Sequence, residues 1–143
     1  MNFRLAAAFA FLAVASSGTH AAKDNAPSIK AAVSALDEAY VMDVKPADAK
    51  YTNCKQGQLE SRHIVRCGIG FSLGSTSLAQ VGYWEVVMQG DSYTIYAMNG
   101  KALTALDRIN RGGSYSSATY PGAFKSGQGR TPLDIQQAAK AIQ

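Results

Sequence analysis

Imidazole and thiol are scarce in this chain, which holds two histidines and two cysteines among 143 residues. Long hydrophobic runs are scarcer still. The longest, Leu5 to Ala15, falls well short of the roughly 20 residues that a helix needs to cross a bilayer. No later stretch approaches that length, so no transmembrane segment is expected. The short run has another meaning. Arg4 precedes it, and Ser16-Ser17-Gly18-Thr19-His20-Ala21-Ala22 follows, which is the three-part layout of a secretory signal peptide. Cleavage after Ala21 puts Thr19 and Ala21 at the positions a signal peptidase needs small. Residues 1–21 therefore read as a removable leader and 22–143 as one small domain, periplasmic or secreted. At that address no nucleic acid partner is expected.

Each further absence excludes a chemistry. Once His20 leaves with the leader, His63 is the only imidazole on which a Ser-His-acid triad can be built. No G-x-S-x-G elbow nominates the serine, and Arg62 and Arg66 flank His63 in what reads as a solvated hairpin end. Zinc sites take three or four His, Cys or carboxylate ligands at close spacing. Glu60 and His63 are the only such neighbours, so no metal is expected, and no cofactor. The run Gly68-Ile69-Gly70-Phe71-Ser72-Leu73-Gly74 misplaces the third glycine of a dinucleotide loop and lies inside a strand pattern. Paired carboxylates remain the one hydrolytic scheme that needs no histidine; Glu38, Asp43, Glu60 and Glu85 are its candidates.

The two cysteines, Cys54 and Cys67, both lie after the leader. In an oxidising compartment an isolated pair forms a disulfide. The spacing is far from the redox C-x-x-C arrangement. The net charge is +4, with the excess in the C-terminal third. There Lys101, Arg108, Arg111, Lys125, Arg130 and Lys140 face only Asp107 and Asp134. A surface of that sign suits an acidic protein or an anionic envelope component.

The apolar pattern predicts an α+β fold. Ser28 opens a helix reaching about Met42, with Ile29, Val33, Leu36 and Tyr40 on one face, and Pro46 ends it. Lys50–Lys55 and His63–Leu73 follow as strands. In the second of these, Val65, Cys67, Ile69, Phe71 and Leu73 share the apolar side, and Gly68 and Gly70 mark a bend, a bulge or a close approach. A hairpin around Gly90-Asp91 joins Val81–Gln89 to Ser92–Met98, with Met88 facing Tyr93, Val86 facing Ile95 and Trp84 facing Ala97. The reverse face carries Tyr83, Glu85, Val87, Thr94, Tyr96 and Met98. A helix over Lys101–Asn110 turns Leu103, Leu106 and Ile109 inward, and Thr131-Pro132 starts a terminal helix. The whole is an amphipathic helix on an antiparallel meander of about four strands, followed by one or two short helices. That order resembles the architecture of cystatin-like folds, and architecture does not carry function.

Between the last two helices, residues 111–130 are rich in glycine, serine and tyrosine and read as one long loop. Its Arg111, Tyr115, Tyr120, Phe124, Lys125 and Arg130 combine aromatic area with directional cations, the mix found at interface hot spots. They are the candidate partner-binding residues. The function expected is that of an exported, non-enzymatic binding or interaction protein, such as an inhibitor of, or immunity-like protein for, an envelope partner. A small hydrolase using paired carboxylates is one alternative. A small-molecule or lipid carrier, with a cavity under Ile29, Val33 and Leu36, is another.

Overall fold

A computed structural model describes residues 28–112 and 122–142 of the chain. Residues 1–21, expected to form a leader, lie outside these ranges. Helix α1 (Ile29–Ala39) starts where Ser28 Oγ accepts the Ala31 N–H at 3.1 Å, satisfying one of the orphan donors of the first turn. Its buried stripe is Ala32, Ala35, Leu36 and Ala39 and continues into Tyr40 and Val44. Ile29 and Val33, expected at the centre of that face, sit at its half-buried rim. A π-helical turn, Tyr40–Val44, ends the helix, and Lys45 before Pro46 is extended, as the proline ring requires.

The meander follows as β1 (Lys50–Leu59), β2 (Arg62–Leu73), β3 (Thr76–Gln89) and β4 (Ser92–Ala97). The β3–β4 register has Met88 opposite Tyr93, Val86 opposite Ile95 and Trp84 opposite Ala97, as the Gly90-Asp91 turn implies. Cys54 faces Cys67 across β1 and β2 and is bonded to it, with the Cα atoms 4.2 Å apart. The irregularity expected at Gly68 and Gly70 lies on the partner strand instead, between Tyr51 and Cys54, where Asn53 has φ 56°. Gly68 serves the close approach. A Cβ there would come within 2.5 Å of Thr52 Oγ1, the atom that donates to the Gly68 carbonyl.

Two expectations are corrected in the C-terminal third. Helix α2 runs Gly100–Gly112, and β5 (Gly122–Ser126) pairs parallel with β4. The sheet therefore has five strands in the order β1-β2-β3-β4-β5, with its last pair parallel, in place of an antiparallel four. The span 111–130 is accordingly not one loop. Gly-Ala-Phe-Lys-Ser is too short to show an alternation, and its backbone partners come only from the open edge of β4, a tertiary gain with no local signature. The second correction concerns capping. Helix α3 (Ile135–Ala141) is capped by Asp134, which accepts from the Gln136 and Gln137 N–H groups, and not by Thr131. The Thr131 and Pro132 carbonyls are instead drawn to Arg62.

Helices α1 and α2 cover one face of the sheet. The buried stripe of α2 is Ala102, Ala105, Leu106 and Ile109, and Leu103, expected inward, is 44 % exposed. Trp84 centres this core, edge-on to Tyr40 at 6.2 Å and to Phe124 at 6.1 Å, and its Nε1 donates to the Tyr40 hydroxyl. Burial pushes the Tyr40 phenol up to about 12, against the lowering by the Trp84 hydrogen bond. The reverse face has its own smaller cluster, in which Ala138 and Ile142 of the α3 segment cover Ile64 and Tyr83. Gly57 admits that contact: a Cβ there would come within 2.6 Å of the Ala141 carbonyl oxygen.

Candidate functional site

The reverse face holds the most heavily paired ionic group. Glu85 is 2 % exposed, at the position in β3 that turns its side chain away from α1 and α2. Arg62 grips both of its oxygens, at 3.0 and 2.9 Å, and Arg130 does the same at 3.2 and 2.8 Å. Arg130 also lies 4.9 Å above the Tyr96 ring centre, and Arg62 donates onward to the Thr131 and Pro132 carbonyls. Burial alone would raise the Glu85 carboxyl, but the hydrogen bonds and charges of the two guanidiniums outweigh it and hold it below the ordinary range. The cluster clamps the segment before α3 onto the sheet. Its carboxylate is fully engaged and faces away from the helices that carry Glu38 and Asp43.

The four candidate interface residues that the structure describes, Arg111, Phe124, Lys125 and Arg130, do not share one surface. Arg111, in the last turn of α2, pairs with Asp107 one turn earlier, both well exposed. Tyr115 and Tyr120 lie outside the described residues. Phe124 is 8 % exposed and packs on Trp84 on the helix-covered side. Lys125 next to it is exposed. Arg130 is committed to Glu85. Of the acids, Asp37 accepts from the Tyr51 hydroxyl and, at 2.6 Å, from the Cys54 N–H. Burial, then Asp37, drives the Tyr51 phenol above its usual value. His63 is half-buried in β2, and no group of three or more potential metal ligands occurs among the described residues.

A different surface stands out. β1 begins at Lys50 opposite Gly70, and β4 ends at Ala97 opposite Trp84. The far end of the β2–β3 hairpin, Phe71 to Gln80, therefore runs past both neighbours as an arm. All of Ser72–Gln80 is exposed, including Leu73 at 65 % and Leu78 at 50 %. The side of the arm that continues the core face carries Phe71, half-buried against the core, and then Leu73 and Leu78, which stay exposed. At its base a cavity of about 210 Å³ lies against α2, where Lys101, Thr104, Ala105 and Arg108 form one wall and Ile69 and Phe71 part of the rest. A second depression of about 260 Å³ shares Phe71 and Gln80 with it and extends over Leu73 and Leu78. The cations fall here by helical spacing, since positions 101, 104, 105 and 108 share one face. Arg108 is steadied by donating to the Val44 carbonyl at 2.9 Å.

The alternation of β2 places Phe71 and Leu73 on the apolar side. That Leu73 is left uncovered while Phe71 still meets the core depends on where α1 and α2 stop, which no local pattern reveals. The signal that was available is charge: between Arg66 and Glu85 no residue is charged or histidine. Comparisons with protein-family models, curated proteins and solved structures find no match.

Proposed function

We infer that this is an exported, non-enzymatic binding protein that engages a partner through the arm and the groove at its base. The observation carrying this reading is the arm itself. Nine consecutive residues, Ser72–Gln80, are exposed on a hairpin that projects past its neighbouring strands, with two leucines uncovered. Contiguous exposed apolar surface with a polar or charged rim is the usual mark of an interaction site. Lys101 and Arg108 supply such a rim, and the disulfide between β1 and β2 braces the base of the hairpin from which the arm projects. An inhibitor that inserts a neutral, apolar-tipped projection into a cleft of an envelope protein is one form of this function.

The test is affinity capture from an envelope extract in oxidising buffer, run in parallel with the unchanged protein and with Leu73→Lys. Leu73 packs on nothing that the fold needs, so the substitution alters the surface alone. A stoichiometric partner retained by the unchanged protein and lost with Leu73→Lys is the expected result. Partners indifferent to the substitution, or none, would overturn the reading.

The groove favours a second reading, that of a carrier. Its two depressions share Phe71 and Gln80, with Lys101 and Arg108 at one end and Leu73 and Leu78 beside Asp48 at the other, so the acid headgroup of an amphipathic ligand would sit at the α2 end. The cavity lies between α2 and the arm and not under Ile29, Val33 and Leu36. A carrier would show saturable binding of a fluorescent fatty acid, weakened by Lys101→Glu.

A further inference from the structure

The arm leaves a strand edge open, and the chemistry of that edge identifies what fits it. Tyr83 accepts from the Met98 N–H and donates to Asn99 Oδ1, while Val81 accepts from Asn99 Nδ2. The odd-numbered residues of β3 thus turn their backbone groups away from β2. The β2–β3 register is unbroken from His63–Val86 to Leu73–Thr76, so Ser77 and Ala79 present their N–H and C=O groups the same way. Among the described residues no hydrogen bond reaches these four groups. Native sheets guard such edges with lysine, proline, a bulge or a covering segment. Thr76–Gln80 has no charge, no proline and no bulge.

We propose that this edge pairs antiparallel with the same edge of a second copy of the chain, about a two-fold axis at Leu78. The edge is self-complementary. With Leu78 opposite its counterpart, Ser77 of each copy faces Ala79 of the other, and the outward groups of these residues make four backbone hydrogen bonds. An isologous pairing of this kind closes on itself. Leu78 then occupies a non-hydrogen-bonded site, where facing Cα atoms come to about 4.5 Å and the side chains are closest. Each Gln80 meets Thr76 of the other copy, and pairing stops before Val81, whose carbonyl is already taken by Asn99. Charge leaves this edge as a place where copies can meet. Like copies of a chain that carries +4 repel one another least where charge of both signs is missing, and Cys67–Trp84, which includes the whole arm, is such a stretch. The two grooves then lie on one face of a continuous sheet. Self-pairing and partner binding rest on separate groups at two positions: Leu73 belongs to the groove face alone and the Ala79 N–H to the strand edge alone, whereas Leu78 belongs to both.

Sedimentation velocity on the purified protein is expected to show a dimer. Ala79→Pro removes an outward N–H without touching the ladder to β2, and Leu78→Lys places two like charges on the axis; each is expected to give a monomer with an unchanged circular dichroism spectrum. Both native cysteines are in the disulfide, so Leu78→Cys adds the only thiol and should oxidise to a covalent dimer, whereas Ser34→Cys on exposed α1 should not. A monomeric parent protein, a dimer that survives both Ala79→Pro and Leu78→Lys, or a dimeric Leu78→Cys protein that fails to cross-link would each overturn the proposal. Loss of the dimer leaves the capture result with Leu73→Lys free to stand or fall on its own.

Discussion

Glu85 shows how much one residue can organise and how little of that is readable in advance. Its place on the mixed reverse face follows from the hairpin turn. Its partners do not, because Arg62 reaches it through strand register and Arg130 through the path of the chain after β5. Two guanidiniums on one buried carboxylate make an asymmetric bond, in which removing the acid leaves two cations facing each other. Glu85→Gln should cost about 2 kcal/mol at neutral pH. That is below the roughly 3–5 kcal/mol of a fully buried broken pair, because the Arg130 side chain is 36 % exposed and solvent screens it. The pH dependence has a definite sign. The folded-state pKa lies below the ordinary 4.5, so the unfolded chain binds the extra proton first as acid is added. The stabilisation is complete above about pH 4.5 and is lost as pH falls through the folded value. Urea midpoints of the parent and Glu85→Gln proteins should differ clearly at pH 7 and converge as pH falls through the folded value; a gap that does not change with pH would contradict this account.

Among the elements, those with a strong local signal were legible. Ser28 as a cap, Pro46 as a stop, the β3–β4 register and the bridging of Cys54 to Cys67 each follow from a turn, a period or a pairing written within a few residues. β5 was not, because it is settled by the distant edge of β4; the start of α3 falls three residues later than Thr131-Pro132 suggests, because Asp134 supplies the cap while Arg62 holds the Thr131 and Pro132 carbonyls. The inward faces of α1 and α2 were read half correctly, since alanines carry much of the contact and their hydropathy is weak. The disulfide links elements that would otherwise be held by hydrogen bonds across a bulged ladder. Closing so short a loop is worth roughly 3 kcal/mol in the chain-entropy model. At roughly 4 °C per kcal/mol for a chain of this size, reduction should lower the thermal midpoint by about 12 °C, and neither cysteine should label with a thiol reagent until reductant is added. Immediate labelling of the untreated protein would show the bridge to be absent.

On the scale of the whole molecule, the fold covers both sides of a five-stranded sheet and then lets one hairpin outrun its cover. The core is complete without Leu73 and Leu78, so their exposure contributes nothing visible to stability. Clustered exposed leucine on a projecting hairpin is costly to solubility and is explained by contact with something else. Of the span expected to make that contact, Phe124 is buried against Trp84 and Arg130 is held by Glu85, and Tyr115 and Tyr120 lie outside the described residues; the arm is the contact surface proposed above. The most direct test is a photo-crosslinking amino acid placed at Leu73 in cells that produce the protein, with Ser34 as the matched exposed control. A discrete adduct at Leu73, different in mass from a doubled chain and missing at Ser34, is the predicted result. Equal, diffuse labelling at both positions would contradict the claim that the arm is the recognition surface.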